Sequence, residues 1–202
     1  TATNAEEFLL RDQYLIENPV RTDLLDTIAR AVVDDLLGAP LPSTPQIARV
    51  LGPLVPARSL MLWSTHADEE ALFAELGVDG SLDGLMGDGD VGFAINNSGG
   101  NKIDAYLDVE LTPHEGGATL TLHNTAPASG LPFYVIGNLV DLPYGTNLAR
   151  VTLYTRTAVV ALQRDGATVA ATMAMENGWH ATTLIVELPS DAATTIEVEW
   201  AT

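Results

Sequence analysis

The sequence contains no cysteine and only nine basic residues, of which Lys102 is the single lysine. Without cysteine the chain has no disulfides, no cysteine-ligated zinc and no thiol nucleophile. The nine bases stand against 27 acids, which gives a formal net charge of -18. An electrostatic field of this sign repels phosphate backbones and anionic lipid, so we expect neither nucleic-acid binding nor binding to membrane surfaces.

Long apolar runs are also missing from the sequence. No stretch approaches the roughly 18 to 20 apolar residues that a helix needs to cross a bilayer, and no signal-peptide pattern opens the chain. The first residue is Thr1 rather than methionine. We therefore expect a fragment of a longer protein, which leaves room for a membrane anchor upstream.

The spacing of apolar residues divides the chain near residue 89. Before that point apolar residues recur at helical spacing, as in residues 22–38, where Gly38 supplies a stop signal. The apolar run "SLMLW", residues 59–63, predicts one short strand within this part. Residues 1–89 are thus predicted to be a mainly helical segment, the end of a larger upstream domain.

From residue 90 the period of the apolar residues changes to two. In "IDAYLDVEL" apolar and polar residues alternate from Ile103 to Leu111, and later segments repeat this pattern. Hairpin signals separate the segments at Gly116-Gly117, Asp165-Gly166 and Asn177-Gly178. The predicted fold class is α+β: a helical segment with a short strand, followed by an antiparallel immunoglobulin-like β-sandwich over residues 90–202. The tryptophans predicted to pack in the core or against the sheets are Trp63, Trp179 and Trp200.

An acidic stretch, "DGSLDGLMGDGD", raises the question of a metal site. Numbered as a twelve-residue calcium loop, it places Asp79, Ser81, Asp83 and Asp90 at ligand positions. The residues after Asp90 predict a strand, whereas such a motif requires an exit helix. Calcium held by Asp79, Asp83 and Asp90 is therefore the lesser alternative, and the main expectation is no metal and no cofactor.

The segment "NNSGGNK", residues 96–102, is the most distinctive candidate for binding, and we call it the asparagine loop. Its asparagines and glycines suit backbone turns with positive φ. One interpretation is a hairpin turn whose amides tie down the backbone. The other is a recognition loop in which Asn96, Asn97, Asn101 and Lys102 present amides and one cation to a sugar or a peptide.

Catalytic signatures are weak in this sequence. None of the four histidines lies in an H-E-x-x-H pattern, and no serine lies in a G-x-S-x-G pattern. Acids such as Asp12, Asp68 and Glu69 are available for glycan chemistry, but nothing in the sequence singles them out. We therefore assign no catalytic residue.

Five segments together resemble a known bacterial family. The segments "AEEFLLRDQY", "LMLWSTHADEEALFAELG", "NNSGGNKIDAYL", "NTAPASGLPFYVIGN" and "LPYGTNLARVTLY" occur in this order in the domain of unknown function 4012 family, common in actinobacteria. The resemblance covers nearly the whole chain and is to the C-terminal portion of longer members. It implies an extracytoplasmic location, anchored to the membrane through an upstream helix. It implies no activity and no catalytic residues.

Three functional hypotheses follow from the sequence. The leading one is a non-enzymatic cell-envelope module that contacts cell-wall polymer or an envelope protein. The second is part of an envelope glycan-processing enzyme whose active site lies partly upstream. The third is a rigid spacer that holds an upstream domain away from the membrane or the wall.

Overall fold

The computed structural model describes residues 7–40, 42–55, 59–82 and 91–201. The chain divides into two compact units, one made of residues 1–28 together with 91–202, and the other of residues 29–90. Within the described ranges, every helix is too short or too polar to span a membrane.

The first part of the chain is helical, as the apolar spacing predicts. Its helices are α1 at Asn18–Gly38, α2 at Thr44–Leu51 and α3 at Ala67–Glu75, with 3₁₀ turns at Asp12–Leu15 and Gly52–Leu54. At the start of α2, the Gln46 side-chain oxygen accepts the Ser43 backbone N–H at 2.9 Å, which satisfies a donor that the helix leaves free.

The segment 59–63, for which the sequence predicts a strand, has irregular structure. Its backbone donates two hydrogen bonds, from the Ser59 N–H to the Leu54 carbonyl at 2.9 Å and from the Leu62 N–H to the Val78 carbonyl at 2.7 Å. A β-strand needs a neighbouring strand to take up its backbone groups, and all strands in the described residues lie from Val91 onward.

Nine strands lie in the described part of the chain after residue 90. They are β1 Val91–Asn97, β2 Leu107–His114, β3 Gly117–Asn124, β4 Asn147–Thr155, β5 Val159–Arg164, β6 Ala167–Thr168, β7 Thr172–Glu176, β8 Trp179–Leu188 and β9 Ala192–Trp200. The first sheet has the order β1-β4-β8-β7 and the second β2-β3-β9-β5-β6, with antiparallel pairing throughout. The predicted α+β class with two antiparallel sheets is confirmed.

The main core is built from alternate residues of strands in both sheets. Because side chains of a strand point to opposite faces in turn, buried residues alternate with less buried ones along most of β3 and β9, whereas β4 is buried on both faces over its last five residues. The fully or almost fully buried members include Leu120, Leu122, Val151, Leu153, Val186, Ile196 and Val198. This alternation is the period that the sequence shows from residue 90 onward.

Two of the predicted hairpins have the expected two-residue turns. Asp165 and Gly166 have φ values of 52° and 77°, and Asn177 and Gly178 have values of 49° and 85°. Positive φ at both positions is characteristic of the type I′ turn, whose twist matches that of the flanking strands. The third predicted hairpin joins β2 to β3 around Gly116.

The asparagine loop does not form the hairpin that the sequence predicts. Strand β1 pairs with β4 in the first sheet, whereas β2 pairs with β3 in the second, so the chain crosses between sheets after Asn97. Ile103–Tyr106 forms a 3₁₀ turn, and β2 begins at Leu107. The turn directs Ile103 into a second, smaller core with Val135 and Ile136, where all three are fully buried. Burial of Ile103 in that core accounts for the interrupted strand.

Candidate functional site

The side chain of Asn97 closes the asparagine loop on itself. Its Oδ1 accepts the backbone N–H groups of Gly99 at 2.8 Å and Gly100 at 3.0 Å. Its Nδ2 donates to Asn101 Oδ1 at 2.8 Å. These bonds take up both ends of the amide, as expected for asparagine in turns.

Asn101 ties the loop to a distant segment of the chain. Its Nδ2 donates to the Gly137 carbonyl, and its Oδ1 accepts the Ile103 N–H at 3.2 Å. The neighbouring Asn138 is buried and donates from Nδ2 to the Thr146 carbonyl at 3.0 Å. The loop and the segment 131–146 are therefore held together by side-chain amides.

A third group of bonds links the loop to the start of β4. Asp104 Oδ1 accepts from Asn97 Nδ2 at 3.2 Å and from Asn147 Nδ2 at 2.9 Å. Asn147 is fully buried, and its Oδ1 has no hydrogen-bond partner among the described residues. Because amides and a carboxylate fix the loop on three sides, its conformation is set before any ligand arrives.

Two of the four predicted binding residues remain open to solvent. Asn96 and Lys102 are exposed, and their side chains make no hydrogen bond or ion pair within the ranges that the structure describes. The Lys102 backbone N–H donates to the Tyr134 carbonyl at 3.1 Å. The single lysine of the chain therefore lies next to the segment 131–146.

That segment presents an exposed group of large apolar and aromatic side chains. We call it the aromatic surface, and its members are Phe133, Tyr134, Leu139, Val140 and Tyr144, which are 40% to 75% exposed. It begins in a one-turn helix, α4, Phe133–Ile136. Val135 and Ile136 are buried in the smaller core, whereas Phe133 and Tyr134 face outward. The inner pair anchors the outer pair.

The aromatic rings of this surface form a row in which each ring contacts the next. The Phe133 ring centre lies 6.0 Å from that of Tyr134 and 6.1 Å from that of Tyr144, both edge to face. Tyr14 stacks on Tyr134 with centres 5.8 Å apart, and the Arg21 guanidinium lies 5.1 Å from the Tyr14 ring centre. Contacts of this kind add about 0.5–1.5 kcal/mol each and limit ring motion.

The asparagine loop borders the aromatic surface directly. The Leu139 N–H donates to the Gly99 carbonyl at 2.9 Å, and the Gly100 α-carbon faces the Leu139 side chain. A concavity of about 350 Å³ adjoins the surface at Tyr144 and is also lined by Glu187 and Ser190. The candidate site is thus a row of rings with a polar border and one shallow depression.

The sequence contains a signal for this surface in a segment without tryptophan, whereas the packing aromatics predicted from the sequence are the three tryptophans. "LPFYVIGNLVDLPYG", residues 131–145, lies outside the alternating pattern and carries only one charged residue, Asp141. An aromatic-rich segment with few charges between strands indicates an anchored loop. Which of its aromatic residues are exposed depends on the smaller core, which the sequence does not reveal.

The acidic stretch is only partly described. Asp79 Oδ1 accepts the Ser81 hydroxyl at 2.9 Å and the Ser81 N–H at 3.3 Å, a local turn that any Asp-x-Ser sequence can form. Asp83 and Asp90 lie outside the described residues. Within the described ranges, no three His, Asp or Glu side chains are grouped to hold a metal ion.

The acids considered for glycan chemistry lie in two different units. Asp12 accepts a hydrogen bond of 2.7 Å from the Arg11 guanidinium. Asp68 and Glu69 lie exposed in the first turn of α3, where Glu69 accepts the Ser64 hydroxyl at 2.5 Å. Negative charge in the first turn stabilises a helix, which accounts for both residues without a catalytic role.

Comparison with known proteins adds little to this description. No family model matches the chain, and no curated protein sequence matches it. One solved structure with local similarity is the alpha-L-fucosidase isoenzyme 2 from Paenibacillus thiaminolyticus, at 14% identity and a TM-score of 0.32. The alignment covers 67% of this chain and 19% of the fucosidase. We take neither fold nor activity from a similarity at this level.

Proposed function

We propose that this chain is a non-enzymatic cell-envelope module that binds cell-wall polymer through the aromatic surface. The observation that carries the proposal is the exposed row of rings at Phe133, Tyr134 and Tyr144, fixed from behind by a buried core. Soluble proteins rarely expose contiguous apolar patches without an interaction to serve. Aromatic side chains also supply large contact areas at a small cost in conformational entropy.

The border of the surface suits a hydroxyl-rich ligand. Asn96 offers a free amide and Lys102 a free ammonium group within the described residues. Tyrosine hydroxyls at Tyr134 and Tyr144 add donors and acceptors on the surface itself. Apolar ring faces combined with a few fixed polar groups are the usual composition of a specific binding site.

The negative charge of the chain disfavours an anionic polymer as the ligand. A net charge of -18 repels polyanions, and Lys102 and Arg21 are the cationic residues next to the rings. We therefore propose an uncharged polysaccharide as the ligand. The shallow shape of the surface favours an extended polymer over a small molecule that a deep pocket would enclose.

A pull-down with isolated cell-wall sacculi and purified neutral wall polysaccharide tests this function. The wild-type chain is compared with Tyr134→Ala, Tyr144→Ala and, as a matched control, Trp63→Ala, which removes a ring that is 75% exposed outside the surface. We expect each tyrosine variant to bind about tenfold more weakly, the equivalent of about 1.4 kcal/mol, and the control to bind normally.

Circular dichroism of each variant checks that the fold is retained. Equal loss of binding in all three variants would place the contact elsewhere. No binding by the wild-type chain to either material would exclude the polymer and leave an envelope protein or the spacer role.

The cellular setting of this proposal comes from the family resemblance alone. We propose an extracytoplasmic location with anchorage through an upstream part of the protein. The immunoglobulin-like relationship of the two sheets stays a prediction.

A further inference from the structure

Strand β7 is an unprotected edge of the first sheet. It runs from Thr172 to Glu176, all five residues are exposed, and in the described part of the chain it pairs only with β8. Met173 and Met175 are 63% and 60% exposed. Natural sheet edges usually carry lysine, proline or bulges, because unpaired backbone groups invite another chain to add a strand.

The other edge strands differ from β7 in one of two ways. Strand β1, at the opposite edge of the first sheet, also has no charge and no proline, but only two of its seven residues are exposed. Strand β2, at the edge of the second sheet, carries Asp108, Glu110 and Pro113. In β7 the one charged residue is Glu176, whose carboxylate accepts the Tyr154 hydroxyl at 3.0 Å. Among the edge strands longer than two residues in the described part of the chain, β7 is the one exposed along its whole length, and we take it as the edge available for pairing.

The turn after β7 determines which backbone groups face outward. A two-residue hairpin turn closes on a hydrogen-bonded pair, here Glu176 with Trp179. Hydrogen-bonded and non-hydrogen-bonded pairs alternate along an antiparallel ladder. Met173 and Met175 therefore direct their N–H and C=O groups away from β8, towards solvent.

We propose that β7 pairs with β7 of a second copy of this chain, antiparallel and related by a twofold axis at Ala174. In this register Met173 and Met175 lie opposite the partner's Met175 and the partner's Met173, and the four residues exchange four backbone hydrogen bonds. The two first sheets become one continuous sheet of eight strands.

The sequence of β7 is complementary to itself in this register. Glu176 lies opposite the partner's Thr172, so no like charges face each other across the pair. The methionines lie on one face, where Met173 also lines an apolar groove of about 310 Å³ between β5 and β7. Each copy carries a net charge of -18, so two copies repel each other as they approach, and salt screens this repulsion. We expect dimerisation to strengthen with ionic strength.

Single-cysteine cross-linking tests the register, because the chain has no cysteine of its own. In a non-hydrogen-bonded antiparallel pair the Cα atoms are about 4.5 Å apart, within the range of about 4.4–6.8 Å that a disulfide spans. Ala174→Cys should therefore form a covalent dimer on mild oxidation. The matched control is Val160→Cys, at a position 66% exposed on β5, which should stay monomeric.

Light scattering after gel filtration tests the dimer itself. We expect a dimer for the wild-type chain and monomers for the double variants Met173→Lys with Met175→Lys and Met173→Glu with Met175→Glu. Mixing the lysine and glutamate variants should restore association, since opposite charges then face each other. A wild-type monomer across its soluble concentration range would overturn the proposal. So would cross-linking of Ala174→Cys no faster than that of Val160→Cys.

Discussion

Asn147 Nδ2 donates to Asp104 Oδ1 at 2.9 Å and so joins the first residue of β4 to the 3₁₀ turn that follows the asparagine loop. Asn147 is fully buried, whereas Asp104 is exposed. The bond therefore connects the interior of the molecule to the border of the aromatic surface.

Replacing Asp104 by alanine should destabilise the fold, because Asn147 Nδ2 would be left buried without an acceptor. We expect a loss of roughly 1–3 kcal/mol in the free energy of unfolding, measured by urea titration. Asp108→Ala is the control, since that carboxylate is 76% exposed and its ion pair with His123 spans 3.8 Å. The control should change stability by less than about 0.5 kcal/mol. Equal losses in both variants would contradict this account.

Asn124→Ala should cost more than any substitution at the loop surface. The buried Asn124 Nδ2 lies within 2.7–3.0 Å of the carbonyls of Gly145, Leu188 and Pro189. Removing the amide takes away the donor to these carbonyls, of which that of Pro189 keeps the Ala192 N–H, and also the acceptor of the Ala126 N–H at 3.1 Å. With the small cavity it opens, we expect a loss of roughly 2–4 kcal/mol in the free energy of unfolding. Thermal and urea unfolding should both report it, while Asn96→Ala, at an exposed position, should be nearly neutral.

Alanine substitutions at Gly145 and Gly130 can be compared to measure how much the close backbone contact at Gly145 restricts that position. Both have positive φ, 80° and 87°, so alanine strains either position to a similar extent. At Gly145 an added Cβ would lie 2.7 Å from the Pro127 carbonyl oxygen, whereas at Gly130 the space is open. We expect Gly145→Ala to unfold at a lower urea concentration than Gly130→Ala, by at least about 1 kcal/mol. Equal midpoints would show that the loop adjusts freely.

The turn residue Asp165 should make stability depend on pH. The backbone N–H of Thr195, at 2.9 Å, and the Thr194 hydroxyl, at 2.7 Å, lower the pKa of this carboxyl below its ordinary value. The carboxylate thus stabilises the fold above its unfolded pKa of about 3.9, and the stabilisation is lost as pH falls from there through the lower folded pKa.

Asp165→Asn keeps the shape and tolerates the positive φ of the turn. The variant should be less stable than the wild type by about 1 kcal/mol at pH 7, as judged by urea titration. The difference should shrink as the pH falls from about 3.9, the unfolded pKa, through the lower folded pKa of Asp165. A difference that stays constant through this acidic range would assign the effect to shape rather than charge.

Alternation along the strands predicts the faces but not the partners. From Val91 onward the period of two identifies buried residues such as Leu120 and Leu122 correctly. The same period is compatible with many strand orders, and pairing of β3 with β9 joins residues that are 68 to 82 positions apart. Local patterns carry no information about such distant partners.

For the candidate site, too, the sequence predicts the local feature but not its distant contacts. The residues of the asparagine loop mark it as distinctive, and the loop does border the aromatic surface. The Asn101 side-chain amide is used within the protein because it donates to the Gly137 carbonyl, 36 residues further along the chain, and no local pattern predicts that contact. Conversely, Trp63, predicted to pack in the core or against a sheet, is 75% exposed. Exposure of an aromatic side chain is a property of the packed molecule, and residue type predicts it poorly.

The strand order has a consequence for synthesis on the ribosome. Strands β8 and β9 come last along the chain, yet each lies in the interior of its sheet, between β4 and β7 and between β3 and β5 respectively. The first sheet cannot close until Leu188 has left the exit tunnel, and the second cannot close until Trp200 has left it. Until then the earlier strands expose apolar faces and the backbone groups that β8 and β9 will take up. Nascent chains of this protein should therefore depend on chaperones until translation passes β9.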